Sequence, residues 1–253
     1  MVNQLYQFYS LRRGGTYGII FWVIKQFESK VWFVNNADPY SIQTPRAPIN
    51  SRQYPKWINH YTNKTLPNVL RDNHDILMVN YEDCFLTVPI NSALEFKEIK
   101  RILIIRDPFN LAASRMKLYL DNPTSHGRQR IFNHDFISNW IEFAKEYLDQ
   151  THHLQNRYCI NYNTWFTDES YRRCISNDLG NVWCDDVDFV SRFGTGSSFS
   201  KRRLRGTKLD VLNRWKMFIT RDDYRSYFTD EVIDLAKQIF DVDHIVNQIR
   251  RGN

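Results

Sequence analysis

A short loop near the amino terminus combines glycines, a hydroxyl group and a positive charge. The segment Arg13-Gly14-Gly15-Thr16-Tyr17-Gly18 separates two apolar runs. Glycines let a ligand approach backbone N–H groups closely, and the first N–H groups of a helix attract anions. The segment therefore predicts a cradle for a phosphate group. A tight structural turn between a strand and a helix is the alternative.

A second pattern pairs an arginine with a serine that follows it in the next predicted helix. Arg106 ends an apolar run and opens the segment Arg106-Asp-Pro, and Ser114 lies eight positions later. A guanidinium group is a planar fork of donors that matches phosphate oxygens, and a hydroxyl adds another donor. The pair predicts a contact to a phosphate monoester. An ion pair of Arg106 with Asp107 is the structural alternative.

Strands that end close to these residues must position them. Apolar or alternating runs predict four strands, at 5–11, 75–80, 100–105 and 157–161. Helical patterns occupy 19–28, the stretch from Pro108, 135–148, 168–179, 209–218 and 229–240. This alternation predicts an α/β fold with a parallel β-sheet, helices on both faces and a P-loop-like nucleotide-binding architecture.

Length and composition favour one globular domain. The chain has 253 residues, of which 42% are hydrophobic and 15% aromatic, so it can bury a sizeable core. We expect residues 1–253 to form a single domain. An irregular stretch at about 35–70, rich in Pro, Asn and Tyr, is expected to be an insertion on the substrate side.

Charge and cysteine usage narrow the function classes. The net charge of +6 suits an anionic partner such as a nucleotide, without choosing among anions. The four cysteines form no C-x-x-C pair and have no zinc-site spacing, so no metal site is predicted. Because the sequence shows neither a signal-peptide pattern nor an apolar run of membrane-spanning length, we expect a soluble cytoplasmic protein.

Together, the two patterns resemble the PAPS-dependent sulfotransferases, which move a sulfuryl group from 3′-phosphoadenosine 5′-phosphosulfate (PAPS). In that family a loop of the form Lys/Arg-Ser-Gly-Thr-Thr holds the 5′-phosphosulfate, and an Arg and a Ser eight residues apart hold the 3′-phosphate. Here Arg13-Gly14-Gly15-Thr16-Tyr17 is similar to the first motif, and Arg106 with Ser114 to the second. Gly14 and Tyr17 depart from it, since they stand where the family has Ser and Thr.

The resemblance also implies roles for residues farther along the chain. Tyr162 would lie near the adenine, and Trp215-Lys216 loosely resembles the end of the family's late basic segment. That segment touches the 3′-phosphate, and its candidates here are Ser198, Arg203, Arg205 and Gly206. Glu82, which follows a predicted strand, is the first candidate for the general base and Asp83 the second. A helix cap or an ion pair to an arginine is the structural alternative for Glu82.

The activity implied by the resemblance is in-line transfer of a sulfuryl group to an acceptor hydroxyl. PAPS would be the donor and 3′-phosphoadenosine 5′-phosphate (PAP) the product, with no metal. The acceptor would be a carbohydrate or a small-molecule alcohol, and no specific nucleic acid or membrane is expected as a partner. The positive charge and the hydrogen-bond donors that stabilise the negative oxygens of the transition state would come from Arg13 and from the N–H groups of Gly14 to Thr16.

Three other functions fit parts of the sequence. A P-loop-type kinase or NTPase shares the strand–loop–helix arrangement, but the chain lacks the Gly-Lys-Ser/Thr that such proteins use. A non-catalytic protein that binds nucleic acid or another polyanion would fit the net charge and the aromatic content. A sulfotransferase fold that binds the nucleotide without reacting is the third, because Gly14 replaces a family serine.

Overall fold

The structure is a computed structural model that describes most of the chain. It covers residues 4–28, 31–35, 37, 58–60, 76–87, 96–133, 135–187, 199 and 208–251. Four predicted site residues lie outside the described residues: Ser198, Arg203, Arg205 and Gly206. Most of the predicted insertion at about 35–70 lies outside them as well. The division of the chain into one domain with an insertion therefore stays a prediction.

Strands and helices alternate along the described part of the chain. The strands are β1 (Gln4–Ser10), β2 (Val31–Val34), β3 (Ile58–His60), β4 (Ile76–Glu82), β5 (Glu98–Ile105) and β6 (Arg157–Asn161). The first six α-helices are α1 (Thr16–Ile24), α2 (Pro108–Leu120), α3 (His126–Asn133), α4 (Phe136–Tyr147), α5 (Tyr162–Thr167) and α6 (Glu169–Asp178). A 3-10 helix (Arg214–Met217), α7 (Asp222–Arg225), α8 (Asp230–Ile239) and α9 (Asp243–Arg251) follow.

The described strands form one sheet in the order β3-β2-β4-β1-β5-β6, and all neighbouring pairs are parallel. β1 lies at the centre, between β4 and β5, with Ser10 opposite Glu82. One apolar cluster packs α1 and α6 on the sheet, and another packs α2, α4, α8 and α9. The predicted α/β fold with a parallel sheet is confirmed. Because the strands are parallel, their carboxyl ends share one edge, where ligands bind in this architecture.

Two short strands were not predicted. β2 has only four residues, Val31–Val34. β3 has three residues and lies within the stretch that was expected to be irregular. Strands this short carry too few residues for a period to be visible.

The predicted helix over 209–218 is wrong. Only the 3-10 turn Arg214–Met217 is helical there. The backbone of this segment makes hydrogen bonds to other parts of the molecule instead. The Oδ1 atom of Asn110 on α2 accepts from the N–H groups of Arg214 (2.8 Å) and Trp215 (3.3 Å). These tertiary contacts override the local helical pattern.

Across the described residues, no helix combines the length and the apolar character that a membrane span requires.

Candidate functional site

The β1–α1 loop turns sharply before the helix begins. Arg13 and Gly15 have φ angles of 73° and 86°, in the left-handed region. The N–H of Gly14 donates to the carbonyl of Leu11 at 2.8 Å, so it serves the turn. This geometry corrects the expectation that the Gly14 N–H faces a ligand. Gly15 is the N-cap of α1, and within the described residues no side chain caps this helix.

Tyr162, the first residue after β6, packs directly against the loop. A Cβ atom at Gly15 would lie 2.0 Å from Cε2 of the Tyr162 ring. The ring also stacks on Trp165, with 5.8 Å between ring centres. Position 15 therefore requires glycine for two reasons, which are the positive φ angle and the close approach of the Tyr162 ring.

Replacing Gly15 by alanine is expected to destabilise the protein more than replacing Gly180. Both residues have positive φ, but a Cβ atom at Gly180 would meet nothing within 4 Å. The Gly180→Ala variant therefore measures backbone strain alone, about 1 kcal/mol. Gly15→Ala must also displace the Tyr162 ring, which should add about 2 kcal/mol. Urea unfolding of both variants gives the comparison, and equal losses of stability would contradict the packing of Tyr162 on the loop.

Asp83 fixes the loop to the rest of the sheet edge. Its Oδ1 atom accepts from the backbone N–H of Arg12 at 2.9 Å and from the guanidinium group of Arg115 on α2. The N–H of Asp83 donates to the carbonyl of Ser10 at 3.0 Å. The Asp83 and Arg115 side chains are 3% and 1% exposed. A carboxylate held in a buried ion pair is poorly placed to accept a proton from a substrate, which favours Glu82 as the base.

Glu82 lies at the carboxyl end of β4, beside the loop. Its side chain is 9% exposed, and the closest atom of Arg12 is 3.7 Å away. Burial raises the pKa of Glu82 to about 7, although Arg12 opposes this shift. A carboxyl group that is partly ionised near neutral pH is suited to accept a proton.

Ser114 is the point where two arginines from distant parts of the chain meet. Its Oγ atom accepts from Nη1 of Arg214 at 3.1 Å and from Nε of Arg13 at 3.4 Å. Nη1 of Arg106 donates to the carbonyl of Arg13 at 3.0 Å, and its Nη2 donates to the carbonyl of Val211. The structure thus brings together three of the candidate residues, Arg13, Arg106 and Ser114, and adds Arg214.

The three arginines are close enough to repel one another. Burial, followed by the charge of Arg106, lowers the pKa of Arg13 to about 10. The same two causes lower the pKa of Arg214 to about 9. Positive charge concentrated in a buried place is stabilised by an anion, so the cluster is suited to a phosphate group.

Arg214 was not predicted from the sequence as a site residue. The available signal was Trp215-Lys216, which resembles a family segment that touches the 3′-phosphate. Arg214 precedes this pair directly, and it is 7% exposed. Its guanidinium carbon lies 5.0 Å from the ring centre of Phe199.

Arg106 does not use Asp107 as its partner. Asp107 caps α2 by accepting from the N–H of Asn110 at 2.7 Å, and it also accepts from Nδ2 of Asn163 at 2.9 Å. The guanidinium carbon of Arg106 lies 5.0 Å from the ring centre of Tyr162. The Arg106 side chain is therefore directed toward the loop and the arginine cluster.

Several buried polar atoms at the site have no hydrogen-bond partner within the part of the chain that the structure describes. The hydroxyl oxygen of Thr16 and Nε of Arg106 are among them. Thr16 is 2% exposed and Arg106 is 3% exposed. Buried polar atoms are nearly always paired in folded proteins. A hydroxyl and a guanidinium nitrogen in this position fit an oxyanion ligand such as a phosphate group.

Comparison with known proteins identifies the fold. The chain matches no family model and no curated protein. Among solved structures, it is similar to mouse sulfotransferase SULT7A1 complexed with PAP, with a TM-score of 0.56 and 13% identity over 98% of this chain and 89% of that one. It is also similar to the sulfotransferase domain of the Synechococcus PCC 7002 olefin synthase, with a TM-score of 0.53 and 13% identity over 94% of each chain. The chain has the sulfotransferase fold.

Proposed function

We propose that this protein is a sulfotransferase that uses PAPS as donor and transfers the sulfuryl group to an acceptor hydroxyl. The observation that carries the proposal is the convergence of Arg13, Arg106 and Arg214 around Ser114, beside a glycine loop at the carboxyl edge of the sheet. The similar mouse structure was determined with PAP, which supports the same nucleotide here. The acceptor is proposed to be a carbohydrate or a small-molecule alcohol.

The residues divide into two anion-binding groups. Arg106, Ser114 and Arg214 would hold the 3′-phosphate, because a dianion there offsets the mutual repulsion of the guanidinium groups. Arg13, Thr16 and the first N–H groups of α1 would hold the 5′-phosphosulfate. The proposal places Tyr162, which lies against both Gly15 and Arg106, near the adenine.

Gly14, Tyr17 and Gly18 have less direct roles in the proposed binding site. A Cβ atom at Gly14 would lie 2.7 Å from the carbonyl oxygen of Leu11, so glycine lets the turn close. A Cβ atom at Gly18 would lie 3.3 Å from Trp165, which packs under α1. Gly14 therefore acts through the shape of the loop and Gly18 through the packing of α1 on Trp165, whereas Tyr17 offers a hydroxyl group.

Catalysis by this chain would combine fixed positive charge with removal of a proton. PAPS, when bound, supplies an activated sulfuryl group, and its transfer passes through a loose transition state with negative charge on the oxygens. Arg13 and the N-terminus of α1 would stabilise that charge without reorganising. Glu82, in its ionised form, would accept the proton from the acceptor hydroxyl.

The proposal is tested by calorimetric titration of the full chain with PAP, 5′-AMP and ATP plus Mg²⁺. We expect PAP to bind without metal and about 100-fold more tightly than 5′-AMP, because only PAP carries the 3′-phosphate that the arginine cluster would hold. Incubation with PAPS and a panel of hydroxyl acceptors then tests transfer. Binding of ATP only with Mg²⁺ would support a kinase instead, and binding of none of the three would contradict the proposal.

A further inference from the structure

Two neighbouring residues of α2 contact two neighbouring residues of the β1–α1 loop. Oγ of Ser114 accepts from Nε of Arg13 at 3.4 Å. The guanidinium group of Arg115, the next residue of α2, donates to Oδ1 of Asp83. The same oxygen atom accepts from the backbone N–H of Arg12 at 2.9 Å. The loop is therefore joined to α2 at two adjacent points, once directly and once through the carboxylate of Asp83.

The contact through Asp83 is buried from solvent. The side chains of Asp83 and Arg115 are 3% and 1% exposed. The guanidinium carbon of Arg115 lies 4.7 Å from the ring centre of Phe136 on α4, so an aromatic face covers the cation. A buried ion pair stabilises a fold little compared with apolar side chains of similar size, because both charges lose their hydration. What the pair adds is a fixed geometry between the loop, the end of β4 and α2.

Asp83 also shapes the chain directly after the candidate base. Its N–H donates to the carbonyl of Ser10 at 3.0 Å, and Ser10 lies opposite Glu82 in the sheet. Asp83 has a φ angle of 57°, in the left-handed region, which aspartate adopts more readily than most residues. The chain therefore turns immediately after Glu82 while its backbone stays tied to β1. A change in the hold on Asp83 would reach Glu82 on one side and Arg12 on the other.

We propose that Asp83 and Arg115 are positioning residues for sulfuryl transfer, and that their ion pair sets the distance between the candidate base and the cation of the loop. The inference rests on the proposed function, in which Glu82 is the base and Arg13 is the cation. Asp83 acts on Glu82 through the turn that follows it, and on Arg13 through the backbone N–H of the preceding residue. In-line transfer requires both groups at the reacting atoms at once, so a small displacement of either lowers the rate steeply.

Three variants separate the geometry of the ion pair from its effect on stability. Asp83→Asn keeps a residue that tolerates the left-handed backbone and keeps an acceptor for the loop N–H, but it removes the negative charge. Arg115→Met removes the positive charge and keeps an apolar stem. Each single variant leaves one buried charge without its counter-charge in the pair, whereas the double variant has neither charge. The double variant should therefore recover most of the stability that each single variant loses.

The test measures urea unfolding, PAP affinity and kcat for sulfuryl transfer in the full chain, at a temperature where each variant is folded. In the double variant we expect a urea midpoint close to that of wild type and a kcat about tenfold lower. PAP affinity should change by less than about threefold, because the groups proposed to hold the 3′-phosphate are untouched. If the pair served stability alone, kcat would recover together with the urea midpoint, and this outcome would overturn the proposal.

Glu146→Gln is the matched control, because Glu146 is another buried carboxylate that joins an arginine to backbone N–H groups. Its side chain is 0% exposed and lies 3.3 Å from Nε of Arg157, at the opposite edge of the sheet. It accepts from the N–H groups of His153 and Leu154 at 3.0 Å each. Glu146→Gln should lose stability and keep the kcat of wild type. A tenfold fall of kcat in this variant as well would trace the effect to lost stability and overturn the proposal.

A milder variant serves if the double variant does not fold. Arg115→Lys keeps the positive charge, but its ammonium group cannot present the planar guanidinium fork. Asp83 must then shift to keep the contact, so kcat should fall at least about threefold with PAP affinity retained. A kcat equal to that of wild type in both Arg115→Lys and Arg115→Met would overturn the proposal.

Hydrogen exchange of the Arg12 N–H separates this inference from the proposed function, because it requires no catalysis. In the double variant we expect this N–H to exchange about tenfold faster than in wild type, while the N–H groups at the centre of β1 keep their rates. Faster exchange in a protein that transfers no sulfuryl group would contradict the proposed function and leave the hold of the pair on the loop standing. Transfer by wild type with unchanged exchange in the double variant would contradict the role of the pair and leave the function standing.

Discussion

Replacing Arg106 by alanine should weaken PAP binding by at least about 100-fold, or about 3 kcal/mol. Arg106 is buried, and its guanidinium group is oriented by bonds to the carbonyls of Arg13 and Val211. Alanine removes a charged fork from the proposed 3′-phosphate site. Alanine also removes the hydrogen-bond donor of two backbone carbonyls, that of Arg13 in the loop and that of Val211 in the 208–213 segment. Loss of charge and loss of order therefore act in the same direction.

One matched variant separates these effects, and a second serves as a control. Arg106→Lys keeps the positive charge but cannot make two parallel hydrogen bonds, so its affinity should lie between those of wild type and Arg106→Ala. Arg157→Ala removes an arginine at the start of β6, at the opposite edge of the sheet, where it contacts Glu146 and Asp149. It should leave PAP binding unchanged in calorimetry. Equal affinities of Arg106→Ala and wild type would remove Arg106 from the site.

The Glu82→Gln variant should lose about 1,000-fold in kcat and keep its affinity for PAP, because glutamine cannot accept the proton of the acceptor hydroxyl. In wild type, the rate should rise with pH through about 7, the pKa to which burial raises Glu82. The variant should show no such rise. Steady-state kinetics across pH test both statements, and Glu82→Asp serves as the comparison that keeps the carboxyl group but shortens its reach. A Glu82→Gln variant with wild-type kcat would exclude Glu82 as the base.

The same raised pKa has a consequence for stability. The folded state favours the protonated form of Glu82, so this contribution is present below the ordinary pKa of 4.5 and is lost as pH rises toward about 7. Glu82→Gln does not undergo this loss. Relative to wild type, it is therefore expected to gain in melting temperature between about pH 4 and about pH 8. A constant difference between the two proteins across this range would show that Glu82 titrates at its ordinary pKa.

Much of the fold could be predicted from the sequence because long strands and helices carry a visible period. β1, β4, β5 and β6 are long or strongly apolar, and each was predicted. β2 and β3 are too short to show a period. The 209–218 segment has a helical pattern, but Asn110 and Arg106 bind its backbone from outside, and no local pattern reports such contacts.

The candidate site could be predicted where its residues form a short motif in the sequence. It could not be predicted where residues that contact each other are far apart in the sequence. Arg13 to Gly18 and Arg106 with Ser114 are such motifs, and the structure brings them together. The contact of Asp83 with Arg115 and the approach of Arg214 to Ser114 join residues that no short motif contains. Hydrogen bonds also join Ser10 to Asn80, Asn80 to Asn35 and Asn35 to Tyr17. These four are ordinary polar residues in the sequence, and only the sheet order places them side by side.

The packing of Tyr162 on Gly15 also has a consequence for how the protein folds. The loop that follows β1 is completed by Tyr162, which follows β6, and Ser114 meets Arg214 across 100 positions of chain. A ribosome-bound nascent chain that stops before β6 therefore lacks the complete site, however well its first strands are paired. Contacts of such sequence separation close late in folding because loop closure precedes them. Nucleotide added during refolding should thus act on the final stage and leave the early collapse unaffected.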